Sequence, residues 1–314
     1  NTISVTFTSS ETLDNATNVI SGNIAGVPIA ASGSGTSWTA ANTVSTHTEG
    51  VATYDITYYD ANGNVGLGAI NSTNDGSSVT IDKTAATVTA SIASNNNTTS
   101  LAKIGNIVTL TISSNELLNA APTITIDGNN VTPNPTIAAS SYTATRTLEA
   151  GDSQGIISFI ISGLLDRAGN TTSNVISTGD ASSVTFDSVV PTITGLTIAS
   201  NNNFDSDAST SLATTGDNVT LTFYTSEQSQ TPVATIATES SVESNSNGDL
   251  VTWSAVKEMD GDDPNGAVAF TIDFYDLAGN QGTQATSILT GSNVTFDKTA
   301  PTISSVSITS SNST

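Results

Sequence analysis

Apolar residues recur at every second position in short runs along this chain. The clearest runs are Phe270, Ile272 and Phe274 and, much earlier, Tyr54, Ile56 and Tyr58. A period of two sends one face of a strand into a core and the other into water. Thr, Val and Ile fill most of the runs, and branched side chains suit a pleated, half-buried surface. In the last third of the chain the pattern predicts strands A at about 191–199, B at 216–226, C at 232–238, E at 249–258, F at 267–276 and G at 284–297. Trp38, Tyr142 and Trp253 recur at one place on strand E and read as large core residues. Aromatics that alternate on a strand pack inward more often than they form a ligand platform.

The pattern repeats. Three junction segments, Ser78–Ala86, Ser183–Pro191 and Asn293–Pro301, share a core of the type Val-Thr-Phe-Asp-Lys-Thr-Ala-Pro. A second marker reads Tyr59-Asp-Ala-Asn-Gly-Asn64, Leu165-Asp-Arg-Ala-Gly-Asn170 and Tyr275-Asp-Leu-Ala-Gly-Asn280. A third is a glutamate closing an alternating run, at Glu11, Glu116 and Glu227. The markers keep one order at a period of about 105–110 residues, too long for a solenoid and right for a string of sandwich domains. The fold class is therefore all-β, divided as 1–82 (a domain without its own strand A), 83–187, 188–297, and an orphan strand A at 298–314.

The Phe-Asp-Lys-Thr-Ala-Pro junction and the Asp-x-Ala-Gly-Asn turn resemble those of bacterial Ig-like tandem-repeat domains in cell-surface adhesins and envelope proteins. The resemblance covers essentially the whole chain. Two positions depart from it, Ala86 in place of proline and Ser188 in place of lysine. It implies tandem Ig-like β-sandwiches in an extended end-to-end array, an extracellular location at the cell surface, and calcium at domain junctions. The same fold serves many roles, so it carries little about function.

Sandwich topology brings specific acids together. Strand A starts at the pole to which the B–C and F–G loops return, so the junction Asp, the Glu closing B and the F–G turn should meet. That predicts one group of Asp82, Glu116, Asp166 and Asn170, and another of Asp187, Glu227, Asp276 and Asn280. Carboxylates joined by amide oxygens suit a hard cation such as calcium. Two other readings stand beside it. Asp-x-Ala-Gly-Asn is a good hairpin turn without metal, and Lys83 or Lys298 would neutralise the neighbouring carboxylates. A further calcium group is expected where Asp260, Asp262 and Asp263 of the E–F loop meet Asp205 and Asp207 of the A–B loop, against a reading of these as solvated loop charges.

Composition narrows the function. Ser and Thr make up close to a third of the 314 residues, while 6 Lys+Arg face 28 Asp+Glu, for a formal charge of −22. Six bases build no phosphate-binding face, which excludes nucleic acid. No apolar run reaches the roughly 18 residues of a membrane helix, so no membrane insertion is expected. With no cysteine there are no disulfides, thiolate nucleophiles or Cys-type zinc sites. His47, the single histidine, reads as an exposed loop residue without a nucleophile nearby, and the conspicuous acids belong to the repeat, so the chain reads as a non-enzyme. The Asn-x-Ser/Thr sequons, among them Asn15, Asn71 and Asn130, are about as many as chance supplies in such a composition. Surface glycans are the remaining candidate partner, although no distinct aromatic or Thr-array face stands out for sugar or ice.

The ends carry one more expectation. Asn1–Thr8 aligns with strand B, not strand A, and Asn1 in place of Met points to a processed or excised N-terminus. Pro301–Thr309 aligns with strand A at Pro191–Ala199. Ile303, Val306 and Ile308 would form a donor strand, and Ile3, Val5 and Phe7 would edge the acceptor groove of another copy. Supplying a missing strand from a neighbour closes an open edge, and donor and acceptor at opposite ends make a head-to-tail homopolymer. The alternative is a fragment of a long calcium-dependent Ig-like adhesin stalk, whose covalent neighbours provide both pieces.

Overall fold

The computed structural model describes every residue except 15–19, 205–206, 209, 246 and 312–314. All regular structure among the described residues is β, and no helix is long and apolar enough to cross a membrane. Each repeat is two small sheets packed face to face. In the second repeat Ile107–Ser114 (strand B) lies between Val88–Ser94 (A) and Ser141–Thr147 (E), with Ile112 opposite both Ala90 and Tyr142. The third repeat builds the same sheet from Ile193–Ser200, Asn218–Thr225 and Thr252–Glu258, extended by Val242–Asn245. The facing sheet pairs strand C with strand F: Thr123–Ile126 with Phe159–Ser162, and Val233–Ile236 with Phe270–Asp273.

Alternation decides what is buried. Val108, Leu110 and Ile112 point into the core of the second repeat, and Val219, Leu221 and Phe223 into that of the third, all without solvent exposure. Tyr142 and Trp253 fill the centres of those cores, and Trp38 takes that place in the first. The aromatics of strand E are therefore core residues, and they leave no ligand platform.

The predicted strand G is much shorter than its alternation suggested. In the second and third repeats it is reduced to Thr185–Phe186 and Thr295–Phe296, each held parallel to the end of the A–B loop and antiparallel to the start of strand F. Upstream of Thr295 the chain touches its neighbours through single bridges such as Ile272 to Ala285, because residues 281–294 carry too few inward apolar side chains to sustain a ladder. Here the backbone passes directly over the last aromatic of strand F. A Cβ on Gly282 would overlap the Phe274 ring, and one on Gly66 would overlap Tyr58. The second repeat has Leu164 at that place and tolerates Thr172, whose hydroxyl bonds to the Ala86 carbonyl at 2.6 Å.

The first repeat has a thinner core. Thr2–Thr8 pairs with Ser37–Thr43 on one side, and no strand among the described residues covers its other edge. Ile3 is buried, but Val5 and Phe7 are only partly so, where Leu110, Ile112, Leu221 and Phe223 are fully buried in the complete repeats. At the other end, residues 297–311 form no strand. Ile303, Val306 and Ile308 stand in solvent at 85%, 86% and 97% exposure.

Candidate metal centres at the domain junctions

The F–G turn supplies the most constrained carboxylate. Asp166 accepts the backbone N–H of Gly169 at 2.7 Å and of Asn170 at 2.9 Å, and its second oxygen accepts the Asn170 side-chain amide at 2.8 Å. Asp276 is held in the same way by Asn280, at 2.8 and 2.7 Å. Gly169 and Gly279 take φ of 93° and 89°, a region where a Cβ is strained, which is why the turn needs glycine. The hairpin-turn reading is thus realised, and it positions the acid. Asp166 and Asp276 are 0% and 1% exposed. Burial of so deep a carboxylate raises its pKa, but for Asp166 the Asn170 amide and the turn N–H groups outweigh that and hold it ionised below the usual range.

The asparagines do a second thing. The Asn170 amide also donates to the Asp82 carbonyl at 3.2 Å, and the Asn280 amide to the Asp187 carbonyl at 2.9 Å. Expected as ligands, Asn170 and Asn280 act here as braces between turn and junction. The junction Asp is itself set by a local bond, with Asp82 accepting the N–H of Thr84 at 3.0 Å and Asp187 that of Val189 at 2.9 Å. The B-strand glutamates complete each group. Among the described residues, carboxylate oxygens of Asp82, Glu116 and Asp166 lie within 4.8 Å of one another, and so do those of Asp187, Glu227 and Asp276.

Among the described residues neither group is paired with a base. Lys83 turns back to donate to the His47 carbonyl, and Lys298 donates to the carbonyls of Gly261 and Asp263, at 2.8 and 2.9 Å. Neutralisation by these lysines is therefore not what the structure has. Glu116 and Glu227 titrate above the ordinary glutamate range, first through desolvation and then through the negative charge of their two aspartate neighbours. Three oxygen anions on separate elements, two of them solvent-accessible and none paired with a base, fit a hard divalent cation with water in its remaining positions.

The E–F loop of the third repeat departs from expectation. Asp263 is buried and grips the Lys257 ammonium with both oxygens, at 2.8 and 2.7 Å, with Glu239 3.3 Å from the same nitrogen. Asp260 and Asp262 are exposed, and the Asp262 N–H donates to Asp260 at 2.8 Å. A lysine occupies the place assigned to calcium, because it sits on the adjacent strand E and points into the loop. Asp205 lies outside the described residues, and Asp207 is described only as part of a short strand with Ala208. His47 also differs from expectation: it is 1% exposed, and neither ring nitrogen finds a hydrogen-bond partner.

Sequence reasoning missed how the linkers are fastened. Glu49 accepts the Lys83 N–H at 2.9 Å and the Thr84 hydroxyl at 2.7 Å. Gln154 accepts the Ser188 N–H at 3.2 Å, and Asn265 accepts the Lys298 N–H at 3.0 Å. In each repeat a polar side chain from the upstream domain pins the residue after the junction Asp. The signal was present, since all three residues directly precede a glycine that opens strand F. Between the second and third repeats Lys103 donates to the Gly279 carbonyl at 2.5 Å and Asn96 to that of Ala278 at 2.8 Å. The turn bearing Asp276 is thus held by the second repeat at two successive carbonyls.

No protein-family description matches the chain, and no curated protein matches it. Solved structures give partial likenesses. One is a Ca2+-stabilized adhesin that helps an Antarctic bacterium reach out and bind ice, at 18% identity and TM-score 0.37, covering 94% of this chain and 69% of that one. A second is the D1–D2 segment of Rst, at 11% identity and TM-score 0.30, covering 67% of this chain and 100% of that one. A third is SGBP-B from the mixed-linkage glucan utilization locus of Bacteroides ovatus, in complex with a mixed-linkage heptasaccharide, at 14% identity and TM-score 0.20, covering 95% and 64%.

Proposed function

We propose that this chain is a non-enzymatic extracellular spacer, a run of Ig-like sandwiches at a bacterial cell surface whose domains calcium holds in line. The observation that carries the reading is the pair of Asp–Glu–Asp groups, each drawn from three elements at the point where one domain passes into the next. Asp82, Glu116 and Asp166 would hold one ion, and Asp187, Glu227 and Asp276 the other. A bound cation supplies charge neutralisation and a fixed geometry, nothing chemical. The protein's own residues convert that into stiffness: Glu49 and Gln154 pin each linker to the upstream domain, while Asn170 and Asn280 tie it to the downstream turn.

Calorimetric titration and small-angle scattering test this. Calcium should bind at two sites per chain and lengthen and narrow the distance distribution, and EDTA should reverse both. Absence of binding, or scattering indifferent to calcium, would sink the proposal.

A second reading, a head-to-tail filament assembled by strand donation, is favoured by the tail. Leu196 and Ile198 are buried in the third repeat, whereas Val306 and Ile308 at the matching places stand in solvent. Residues 299–312 entering beside Thr2–Thr8 of another copy would cover both the apolar tail and the half-exposed Val5 and Phe7. Removal of residues 299–314 should then abolish end-to-end association, and association unchanged by that deletion would refute it.

A further inference from the structure

The second and third repeats balance charge where the E–F loop turns toward the linker pin. Arg146 and Lys257 lie four residues past the core aromatic of strand E, opposite Val108 and Val219 of strand B. Each is largely buried and pairs with an acid two residues before the pin, Arg146 with Asp152 and Lys257 with Asp263. The acid also ties its own loop. Asp152 accepts the Glu149 N–H at 2.7 Å, and Asp263 that of Asp260 at 2.8 Å.

The first repeat has neither charge. Asn42 stands at the place of the base, opposite Ile3, and its amide donates to the Pro28 carbonyl at 2.6 Å. His47 stands at the place of the acid, fully buried, with Nδ1 and Nε2 both unpartnered. Its backbone carbonyl accepts the Lys83 ammonium, as the Asp263 carbonyl accepts that of Lys298. Two residues on, Glu49 holds the Lys83 N–H and the Thr84 hydroxyl. The loop that pins the first linker is thus seated on a buried imidazole.

We infer that His47 makes the first linker acid-sensitive: protonation drives the ring from its seat and releases Glu49 from Lys83 and Thr84. An uncharged ring forgoes one donor and one acceptor bond there. A charged ring would bury two N–H donors and a full positive charge, with no acceptor beside it among the described residues. It would also share its neighbourhood with the Lys83 ammonium, where Asp152 and Asp263 offer a negative charge in the other repeats.

The ionisable groups around His47 do not take over its role. Strand Thr2–Thr8 and the turn at Ala25–Gly26 carry no ionisable side chain. On strand F, burial and then the charge of Asp75 push the Tyr54 hydroxyl up, so it stays neutral. Asp55 accepts the Asn23 N–H at 2.9 Å on the outer side of that strand. The Thr84 hydroxyl and the Lys83 N–H hold Glu49 below the ordinary glutamate range, so it remains ionised while the ring takes its proton. At the second linker the pin is Gln154 on Ser188 and an ion pair replaces the imidazole, so acid leaves that linker closed. The inference needs no cation at the junction.

The test uses the full chain in EDTA, read by NMR. His47 is the single histidine, so its ring signals report its protonation directly. Between about pH 7.5 and about pH 5, a range that spans histidine titration, the protection factor of the Lys83 amide should fall roughly tenfold. The fall should share its midpoint with the ring, and the Ser188 amide should keep its protection. His47→Phe fills the seat without a titrating group and should hold Lys83 protection constant across the range. Asn42→Arg combined with His47→Asp installs the ion pair of the second repeat and should do the same, which covers the case of a phenylalanine that packs badly. A ring that titrates while the Lys83 amide stays protected would overturn the inference. So would a ring still uncharged at the acid end, or a fall that persists in both variants. A fall shared equally by Ser188 would also overturn it, since the junction acids would then be the cause.

Discussion

Replacing Asp187 by Asn should have opposite effects on stability with and without calcium. In the metal-free protein Asp187 stands within 4.8 Å of two other carboxylates. Unit charges at that separation repel by about 1 kcal/mol in a water-like dielectric and by roughly 3 kcal/mol at an effective dielectric near 20. Asp187 and Glu227 are half-exposed, so solvent screening favours the lower figure. Removing one charge relieves two such contacts, a gain of about 2 kcal/mol. The Asn oxygen can still accept the Val189 N–H, so the local turn survives. With calcium at about a hundred times its dissociation constant, binding stabilises the wild type by about 2.7 kcal/mol, and the variant loses most of that. For a sandwich of about 100 residues each kcal/mol moves the midpoint by about 4–8 °C. Scanning calorimetry should therefore show the variant melting higher than wild type in EDTA and lower in millimolar calcium. A shift in the same direction in both buffers would refute the reasoning, since the two conditions invert the sign of one electrostatic interaction.

Four other outcomes follow from the same geometry. In EDTA the desolvated Glu227, crowded by Asp187 and Asp276, binds its proton more tightly folded than unfolded, so its contribution is present at low pH and fades as pH rises through its raised pKa. Glu227→Gln should remove that share of the pH dependence, and calcium should mask it; an unchanged stability–pH curve in EDTA would count against it. Lys257→Met strands a buried Asp263 and should cost about 3–5 kcal/mol in urea melts, largely recovered by adding Asp263→Leu. Gly282→Ala drives a methyl into the Phe274 ring and should cost about 1–3 kcal/mol, with Phe274→Leu relieving it, as Leu164 does opposite Thr172. Lys103→Met should leave the unfolding free energy within about 0.5 kcal/mol of wild type while loosening the second and third repeats, seen as a broader scattering distance distribution.

The cores were legible in the chain because alternation is a local property. Tyr142 and Trp253 lie where the period of two places them, and Phe270, Ile272 and Phe274 share one buried face. The Asp–Glu–Asp groups were legible for a different reason. Three markers in constant order, on a sandwich whose loops return to fixed poles, leave little freedom in what meets at each pole. Strand G was overread because single bridges and a real ladder look alike in a run of Ser, Thr and Val.

What the sequence determined by itself was the repeat, the sandwich class and the acids that gather at each junction, all consequences of periodicity and chain order. Which cation meets each carboxylate depended on the directions of side chains that are adjacent only in space. Lys257 and Asp263 illustrate this, since a strand and the loop after it face each other and a lysine fills a site that residue types alone assign to calcium. Lys83 shows the converse, turning toward the His47 carbonyl and leaving Asp82, Glu116 and Asp166 without a basic partner among the described residues. Long flexible side chains settle by three-dimensional packing, and only the tertiary structure decides which way they point.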